Sequence, residues 1–152
     1  TLSLHDALPI YRNPISERDT VQFTLVEYED DMPSVYAAAD LVVCRAGASS
    51  VAEIAARGVP AVLVPLPGAP GDHQTANARA LVNAGAAVMV TDGELDGARF
   101  HAEVDALIAE PDRLHEMSQR AKGVARRDAA EAVVDLVVLH ARRPLPSNKE
   151  AV

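Results

Sequence analysis

The stretch DLVVCRAGASSVAEIAARGVPAVLVP, residues 40–65, decides the fold. It opens with a short apolar run, residues 41–44, which is rich in β-branched residues and too brief for a helix. Such a run predicts a strand that is buried on both faces. Apolar residues then recur at helical spacing until Gly58, a residue type that commonly ends a helix, and a second apolar run starts after Pro60. The order strand, turn, helix, strand is typical of an α/β domain.

The turn between the first strand and the helix, residues 45–48, is small and flexible enough to let a ligand approach the backbone. Ser49 and Ser50 are the candidate N-caps of the helix. A helix N-terminus at the carboxyl end of a parallel strand presents unpaired N–H groups and a partial positive charge. We therefore expect a phosphate group to bind at this turn.

Glu53 follows the two serines within about one helical turn, and two interpretations of it stay open. Its carboxylate can accept hydrogen bonds from two adjacent hydroxyl groups, as carboxylates do when they hold a ribose. Alternatively, Ser50 and Glu53 form the S-x-x-E capping box that starts the helix.

Composition limits the class of protein. The 152 residues are enough for one domain with a sizeable core, and 49% are hydrophobic but only 3% aromatic, which predicts a core of Ala, Val and Leu. A formal net charge of -8 argues against a nucleic-acid surface. The single cysteine, Cys44, cannot form an internal disulfide, which favours a reducing cytoplasm. We expect no metal site, because no Cys or His residues have ligand spacing, and no transmembrane span.

Further elements follow from the same patterns. Before the central stretch we expect a strand at residues 21–26 and a short helix from Pro33 to Ala39. After it we expect a loop at residues 66–72, a helix from His73 to about Asn83 with Ala76, Ala80 and Leu81 on its inner face, and a strand at residues 87–90. Three amphipathic helices then serve packing, with apolar positions that include Leu95 to Ile108, Leu114 and Met117, and Val133 to Val138.

Spaced matches across residues 21–141 resemble the MurG family of glycosyltransferases, glycosyltransferase family 28. The resemblance is carried by CRAGA at residues 44–48, VAEI at 51–54, GVPA at 58–61, DHQ at 72–74, NA at 77–78 and AGA at 84–86, with EDDM at 29–32 and YAAAD at 36–40 upstream. It implies a Rossmann-like parallel sheet flanked by helices, the nucleotide-sugar-binding C-terminal half of a GT-B fold. That half normally opens with a strand and a glycine-rich loop, and we expect both to be lacking here.

The resemblance also implies roles for residues. Backbone groups at Tyr28 and Glu29 frame a uracil, Glu53 holds the ribose, and Gln74 and His73 contact the sugar, although an exposed helix-start residue is an equal alternative for His73. Arg45 balances phosphate charge or pairs with Asp40 or Asp72. The implied UDP-N-acetylglucosamine site, with no cofactor and no catalytic residue in this chain, comprises Tyr28, Glu29, Arg45, Gly47, Ala48, Ser49, Ser50, Glu53, His73, Gln74 and Asn77, of which Asn77 helps to fix its helix to the loop at residues 66–72.

The implied activity is inverting transfer of N-acetylglucosamine to the lipid-linked muramyl peptide of peptidoglycan synthesis, which forms lipid II. Its expected partners are the donor, the acceptor-binding N-terminal half and the lipid-linked acceptor, at the cytoplasmic face of the membrane. We expect this chain to be a fragment that is inactive alone. Two alternatives stay open: the soluble subunit of a two-subunit N-acetylglucosamine transferase, or a non-catalytic nucleotide-binding module.

Three segments are expected. Residues 1–20 form a non-native or disordered segment, since residues 1–10 resemble translated sequencing-adapter sequence and an ordinary N-terminal arm is the alternative. Residues 21–141 form the nucleotide-sugar-binding domain, and residues 142–152 form a flexible tail.

Overall fold

A computed structural model describes Thr24, residues 26–95 and residues 97–141. The chain divides into two compact units, one that extends to Met32 and one that begins at Pro33. The predicted terminal segments, residues 1–20 and 142–152, lie outside the described residues, so the predicted domain bounds stay a prediction. Most of the strand predicted at residues 21–26 also lies outside them, and Thr24 and Val26, which are described, are not in a strand.

Helices and parallel strands alternate along the described chain and are followed by three helices. The elements are α1 (Met32–Ala38), β1 (Val42–Cys44), α2 (Ala48–Arg57), β2 (Ala61–Leu63), a 3-10 turn (Pro70–Asp72), α3 (His73–Asn83), β3 (Ala87–Met89), a second 3-10 turn (Asp92–Glu94), α4 (Gly97–Ile108), α5 (Pro111–Val124) and α6 (Ala129–Ala141). The predicted α/β class and the order strand, turn, helix, strand of the central stretch are confirmed.

The described strands form one parallel sheet in the order β1-β2-β3. Val43 pairs with Val62, and Val62 pairs with Val88. The prediction that the first strand is buried on both faces is wrong, because Val43 is 43% exposed. β1 has only one neighbouring strand in this sheet, whereas β2 lies between two and is fully buried.

The core forms around β2. Val62 packs in a buried cluster with Val90, Leu107 of α4 and Met117 of α5. Since successive side chains of a strand point to opposite faces, Ala61 and Leu63 point away from this cluster, and both are also fully buried. Both faces of the central strand are therefore covered.

α2 is flanked by Gly47 and Gly58 as its N-cap and C-cap, and it packs against α3 and α5. Its buried residues, Val51, Ile54 and Ala55, follow the helical spacing of the sequence, and Gly58 ends the helix in the left-handed conformation with φ +74°. The sequence periodicity thus identified both the inner face and the end of this helix correctly.

α3 has the predicted bounds, but its inner face differs from the prediction. Leu81 is buried with Ala78, whereas Ala76 and Ala80 are exposed. Alanine carries too little apolar surface to identify the buried side of a helix by itself. Leu95, predicted in the next helix, precedes it, because the 3-10 turn Asp92–Glu94 comes first.

α6 has no buried residue in the described structure, although apolar residues dominate it. Six of its apolar side chains are 40–66% exposed: Val133, Val134, Leu136, Val137, Val138 and Leu139. They surround the helix instead of forming one stripe, so the predicted amphipathic packing face is wrong. In the described ranges, no helix combines the length and apolarity that crossing a membrane requires.

Candidate functional site

The N-terminus of α2 lies at the carboxyl end of β1, and Gly47 is its N-cap. Gly47 has φ -63° and ψ 148°, and its carbonyl accepts the first helical hydrogen bond from the Val51 N–H at 3.0 Å. No side chain caps this end. The predicted capping role of Ser49 and Ser50 is therefore wrong, because the helix begins before them, at Ala48. The first-turn N–H groups have no acceptor within the helix and remain available to a ligand.

Glu53 is exposed and lies beyond the first turn of α2. The capping box with Ser50 is not formed, because the box requires its glutamate three residues after the N-cap, and here that position is Ser50. Within the described part of the chain, the Glu53 carboxylate has no hydrogen bond or ion pair. It is thus available to accept from ligand hydroxyl groups.

Tyr36 of α1 was not identified as a site residue from the sequence. It is only 5% exposed. Burial raises the pKa of the Tyr36 hydroxyl, electrostatic interaction with Glu53 and with Cys44 raises it further, and a hydrogen bond with the Ser50 side chain opposes these shifts. The Tyr36 hydroxyl therefore lies close to the Ser50 side chain. The available indication in the sequence was that Tyr36 is one of the few aromatic residues of this chain.

Arg45 connects the carboxyl ends of the strands. Its Nη1 donates to the carbonyl oxygens of Val64 at 3.5 Å and Pro65 at 3.3 Å, and it forms an ion pair with Asp92 Oδ1 at 2.5 Å. The suggested pairing with Asp40 or Asp72 is wrong. Asp92 was missed from the sequence, although it lies three residues after the end of β3, and polar residues after neighbouring parallel strands meet at one edge of a sheet.

Gln74, in the first turn of α3, holds the loop after β2. Its Oε1 accepts a hydrogen bond from the Leu66 N–H at 3.0 Å. Because an amide oxygen faces that N–H, the Gln74 amide nitrogen points elsewhere as a donor. His73 is exposed, and its Nδ1 lies 2.8 Å from the Pro70 carbonyl oxygen. A carbonyl only accepts, so Nδ1 carries the hydrogen and Nε2 of the neutral ring remains an acceptor.

Asn77 joins α3 to the turn before α2. Its Nδ2 donates to the Ala46 carbonyl oxygen at 3.1 Å, across a sequence separation of 31 residues. Ala46 is fully buried, so the bond fixes the position of the turn that precedes Gly47. This contact is made with the turn and not with the loop at residues 66–72, to which the family resemblance implies that Asn77 fixes the helix.

The structure brings most of the predicted residues of the second unit to the carboxyl edge of the sheet. Tyr28 and Glu29 belong to the first unit, where Tyr28 is 80% exposed and the Glu29 carboxylate accepts from the Asp31 N–H at 2.8 Å. No cluster of three or more His, Cys, Asp or Glu residues suited to a metal ion occurs among the residues that the structure describes. Among the described residues, this edge offers a ligand the backbone N–H groups of the first turn of α2, the Glu53 carboxylate and the Gln74 amide nitrogen.

Comparisons with known proteins agree on one family. The model of the glycosyltransferase family 28 C-terminal domain matches residues 9–133. Two relatives named UDP-N-acetylglucosamine--N-acetylmuramyl-(pentapeptide) pyrophosphoryl-undecaprenol N-acetylglucosamine transferase are similar. The protein of Alkalilimnicola ehrlichii is 50% identical over 118 residues, 78% of this chain and 33% of the relative. That of Methylococcus capsulatus is 52% identical over 104 residues, 68% of this chain and 29% of the relative.

A crystal structure of MurG from Acinetobacter baumannii has the same fold, with a TM-score of 0.71 and 38% sequence identity. The match covers 76% of this chain and 33% of that chain. This chain thus spans about a third of the length of the relatives that it matches. The match of the family model over most of the sequence shows that the chain belongs to the glycosyltransferase family 28 C-terminal domain family.

Proposed function

We propose that the chain is the UDP-N-acetylglucosamine-binding part of an inverting N-acetylglucosaminyltransferase that forms lipid II. The proposal rests on two groups that lie on one helix, which begins at the carboxyl end of β1, and that make no side-chain hydrogen bond in the described chain. The N-terminus of α2 has no side-chain cap, and the Glu53 carboxylate, on the same helix, has no partner in the described chain. The names of the relatives, which are N-acetylglucosamine transferases, support this choice of ligand.

The diphosphate of the donor binds at the N-terminus of α2 in this proposal. The N–H groups of Ala48, Ser49 and Ser50 supply hydrogen-bond donors, and the partial positive charge of the helix favours an anion. α2 is ten residues long, and Gly47 places no side chain between the ligand and these N–H groups. The same groups stabilise the negative charge that develops on the diphosphate as it leaves.

The remaining groups select the nucleoside and the sugar. Glu53 accepts hydrogen bonds from the ribose hydroxyls, and the uracil contacts that the resemblance implies for Tyr28 and Glu29, residues of the first unit, stay a prediction. Gln74 donates to the sugar from the amide nitrogen that Leu66 leaves unused, and His73 offers the acceptor Nε2. Asn77 supports the site by holding the turn at Ala46.

In the transfer, the acceptor hydroxyl oxygen attacks the anomeric carbon and forms the new glycosidic bond. The bond from that carbon to the diphosphate oxygen breaks, UDP departs, and the hydroxyl proton passes to a base. The proposal assigns no base to this chain, so its residues bind the donor and stabilise the leaving group. We also propose that the acceptor-binding half of the enzyme binds the muramyl acceptor and that the whole enzyme lies at the inner face of the membrane.

Calorimetric titration of the chain with UDP-N-acetylglucosamine and with UDP tests the proposal. We expect both ligands to bind, the sugar nucleotide more tightly. In Glu53→Ala, binding of both should weaken by about 1 to 3 kcal/mol, the usual cost of leaving polar groups without partners. Glu131→Ala, which removes an exposed glutamate from α6, is the matched control and should bind as the unsubstituted chain does.

Two results would contradict the proposal. Equal binding of UDP and UDP-N-acetylglucosamine would point to a nucleotide-binding module without a sugar site. Unchanged binding in Glu53→Ala would remove the carboxylate from the site. Circular dichroism of each variant confirms that the chain remains folded.

A further inference from the structure

One peptide group in the loop after β2 is held at both of its polar atoms. The carbonyl oxygen of Pro65 accepts from Arg45 Nη1 at 3.3 Å, and the N–H of Leu66 donates to Gln74 Oε1 at 3.0 Å. This oxygen and this N–H belong to the same planar peptide unit. A change in one of the two hydrogen bonds therefore rotates the peptide plane and alters the geometry of the other hydrogen bond. The two bonds therefore connect the guanidinium of Arg45 to the amide of Gln74.

Arg45 is itself held in place from β3. Its Nη1 also contacts the Val64 carbonyl oxygen and forms the ion pair with Asp92. Asp92 lies in a 3-10 turn that starts with a capping box between Thr91 and Glu94, so its backbone position is defined. A continuous series of contacts thus runs from the end of β3, through Arg45 after β1, to the loop after β2.

The ion pair contributes little to stability in its own right, because the side chains of Arg45 and Asp92 are 48% and 39% exposed. Its geometric effect is larger. Three protein oxygens surround Nη1, and one of them carries a negative charge that offsets the guanidinium. The geometry favours a role in holding the loop over direct contact with a diphosphate.

We propose that Arg45 and Asp92 are positioning residues that act through the Pro65–Leu66 peptide to orient the Gln74 amide. This inference rests on the proposed function. With its oxygen engaged by Leu66, Gln74 presents only N–H donors to the ligand. The ligand group that it reads is then an acceptor oxygen of the sugar. Arg45 and Asp92 therefore determine how much the sugar adds to the affinity for the nucleotide.

The ratio of the dissociation constants for UDP and for UDP-N-acetylglucosamine measures this effect. In Asp92→Ala, we expect the ratio to fall about 3- to 10-fold, the equivalent of roughly one hydrogen bond, with UDP affinity nearly unchanged. Arg45→Lys should lower the ratio in the same way. Glu116→Ala, which removes the exposed ion pair with Arg120 on α5, is the control and should leave the ratio unaltered.

Equal loss of affinity for both ligands would overturn the proposal, since Arg45 would then act on the diphosphate or on the fold. An unchanged ratio would overturn it as well. Gln74→Glu adds a sharper comparison, because a carboxylate can still accept from the Leu66 N–H but has no N–H to donate. This variant should lose the benefit of the sugar as Gln74→Ala does.

Hydrogen exchange of the Leu66 amide, followed by NMR without any ligand, tests the connection independently. Exchange should be faster in Asp92→Ala, Arg45→Lys and Gln74→Ala, and unchanged in Glu116→Ala and Gln74→Glu. Unchanged exchange in the Asp92 and Arg45 variants would refute the connection to Gln74. If the unsubstituted chain binds neither ligand, the proposed function fails, and this measurement still decides whether Arg45 orients Gln74.

Discussion

The pattern Ser/Thr-x-x-Glu occurs at Ser50 to Glu53 and at Thr91 to Glu94, and of these two stretches only the second forms a capping box. At Thr91 to Glu94, the Thr91 hydroxyl and the Thr91 N–H both donate to Glu94 Oε2, at 2.8 and 3.1 Å. The Glu94 N–H in turn donates to the Thr91 side chain, which completes the box. At Ser50 to Glu53 the pattern lies inside α2, which has started at Ala48 after Gly47. The same spacing of residues thus has two structural outcomes.

The difference arises from where each element begins. Thr91 has extended backbone angles and precedes its turn, so its side chain can reach back to the first N–H groups. Ser50 already lies inside the helix, so its side chain is not in the N-cap position. Glu94 is consequently engaged in local structure, whereas Glu53 remains available to a ligand. The local pattern alone does not separate a carboxylate that takes part in capping from one that has no partner in the described chain.

The largest loss of stability is expected at the C-terminal end of α2, because this helix has a glycine at each boundary and a buried face but no side-chain cap. Gly58→Ala should destabilise the chain by about 1 to 2 kcal/mol, because φ +74° is unfavourable for any residue with a Cβ. The new Cβ would also overlap the Lys122 side chain. Urea denaturation measures the change.

The matched control is Gly123→Ala, in the last turn of α5. An added Cβ there meets no atom within 4 Å, and alanine is favoured over glycine in a helix. This variant should be slightly more stable than the unsubstituted chain. A loss of stability of equal size in both variants would show that the left-handed conformation is not the cause.

Removal of the capping box should have the next largest effect. Thr91→Ala deletes the hydroxyl that bonds to Glu94 and should cost about 1 kcal/mol of stability. Thr91→Ser retains the hydroxyl and should be close to neutral. Equal denaturation midpoints for the Ala and Ser variants would mean that the box contributes nothing measurable.

A side-chain cap can be added to α2. Gly47→Ser should raise stability by a few tenths of a kcal/mol, because serine tolerates φ -63° and ψ 148° and caps the first turn. The new Cβ has room, since its nearest neighbour, Ser50 Oγ, lies 3.9 Å away. The hydroxyl would compete for the N–H groups that we propose bind the diphosphate, so calorimetry should show weaker UDP binding.

Gly47→Ala separates the two effects of this substitution. It adds a Cβ without a hydroxyl and should lower stability, because alanine is a poorer N-cap than glycine. Tighter UDP binding by Gly47→Ser would contradict the proposed location of the diphosphate.

The smallest effect concerns pH. The hydrogen bond from the Thr91 hydroxyl, followed by that from its backbone N–H, lowers the pKa of Glu94 below the ordinary glutamate value. A lowered folded-state pKa means that the carboxylate stabilises the fold above the unfolded-state pKa and loses this effect as the pH falls through the folded-state pKa. The stability difference between the chain and Glu94→Gln should therefore be present near neutral pH and shrink in acid.

Thermal unfolding of both proteins between about pH 7 and pH 3 measures this difference. In a Thr91→Ala background the pH-dependent part should decrease, because the main hydrogen bond is gone. A difference that grows in acid would contradict the assignment.

The sequence predicted the order of elements in the central stretch and the end of α2 at Gly58, for a physical reason. Periodicity of apolar residues reports which face of an element is buried, as it does at Val51, Ile54 and Ala55 in α2. Glycine reports conformations that other residues avoid, as at Gly58. The same method failed at Ala76 and Ala80 of α3 and for α6, where alanine is uninformative or apolar residues surround the helix.

The sequence named candidate site residues but not the contacts between them. Glu53, Gln74 and Asn77 were identified by their place after strands and by family resemblance. Asp92 and Tyr36 were not, because each acts through a residue distant in sequence, Arg45 at a separation of 47 positions and Ser50 in the next helix.

By itself, the sequence determined the α/β class, the order of strands and helices, and the boundaries set by glycine and proline, since these depend on local conformational preference and on the period of apolar residues. Only the tertiary structure decided that α2 starts at Ala48, that Glu53 is released from capping, and that Arg45 joins Asp92 to the loop beside Gln74. These features depend on which strand ends meet at one edge of the sheet, and that meeting is a property of the packed chain and not of any local stretch.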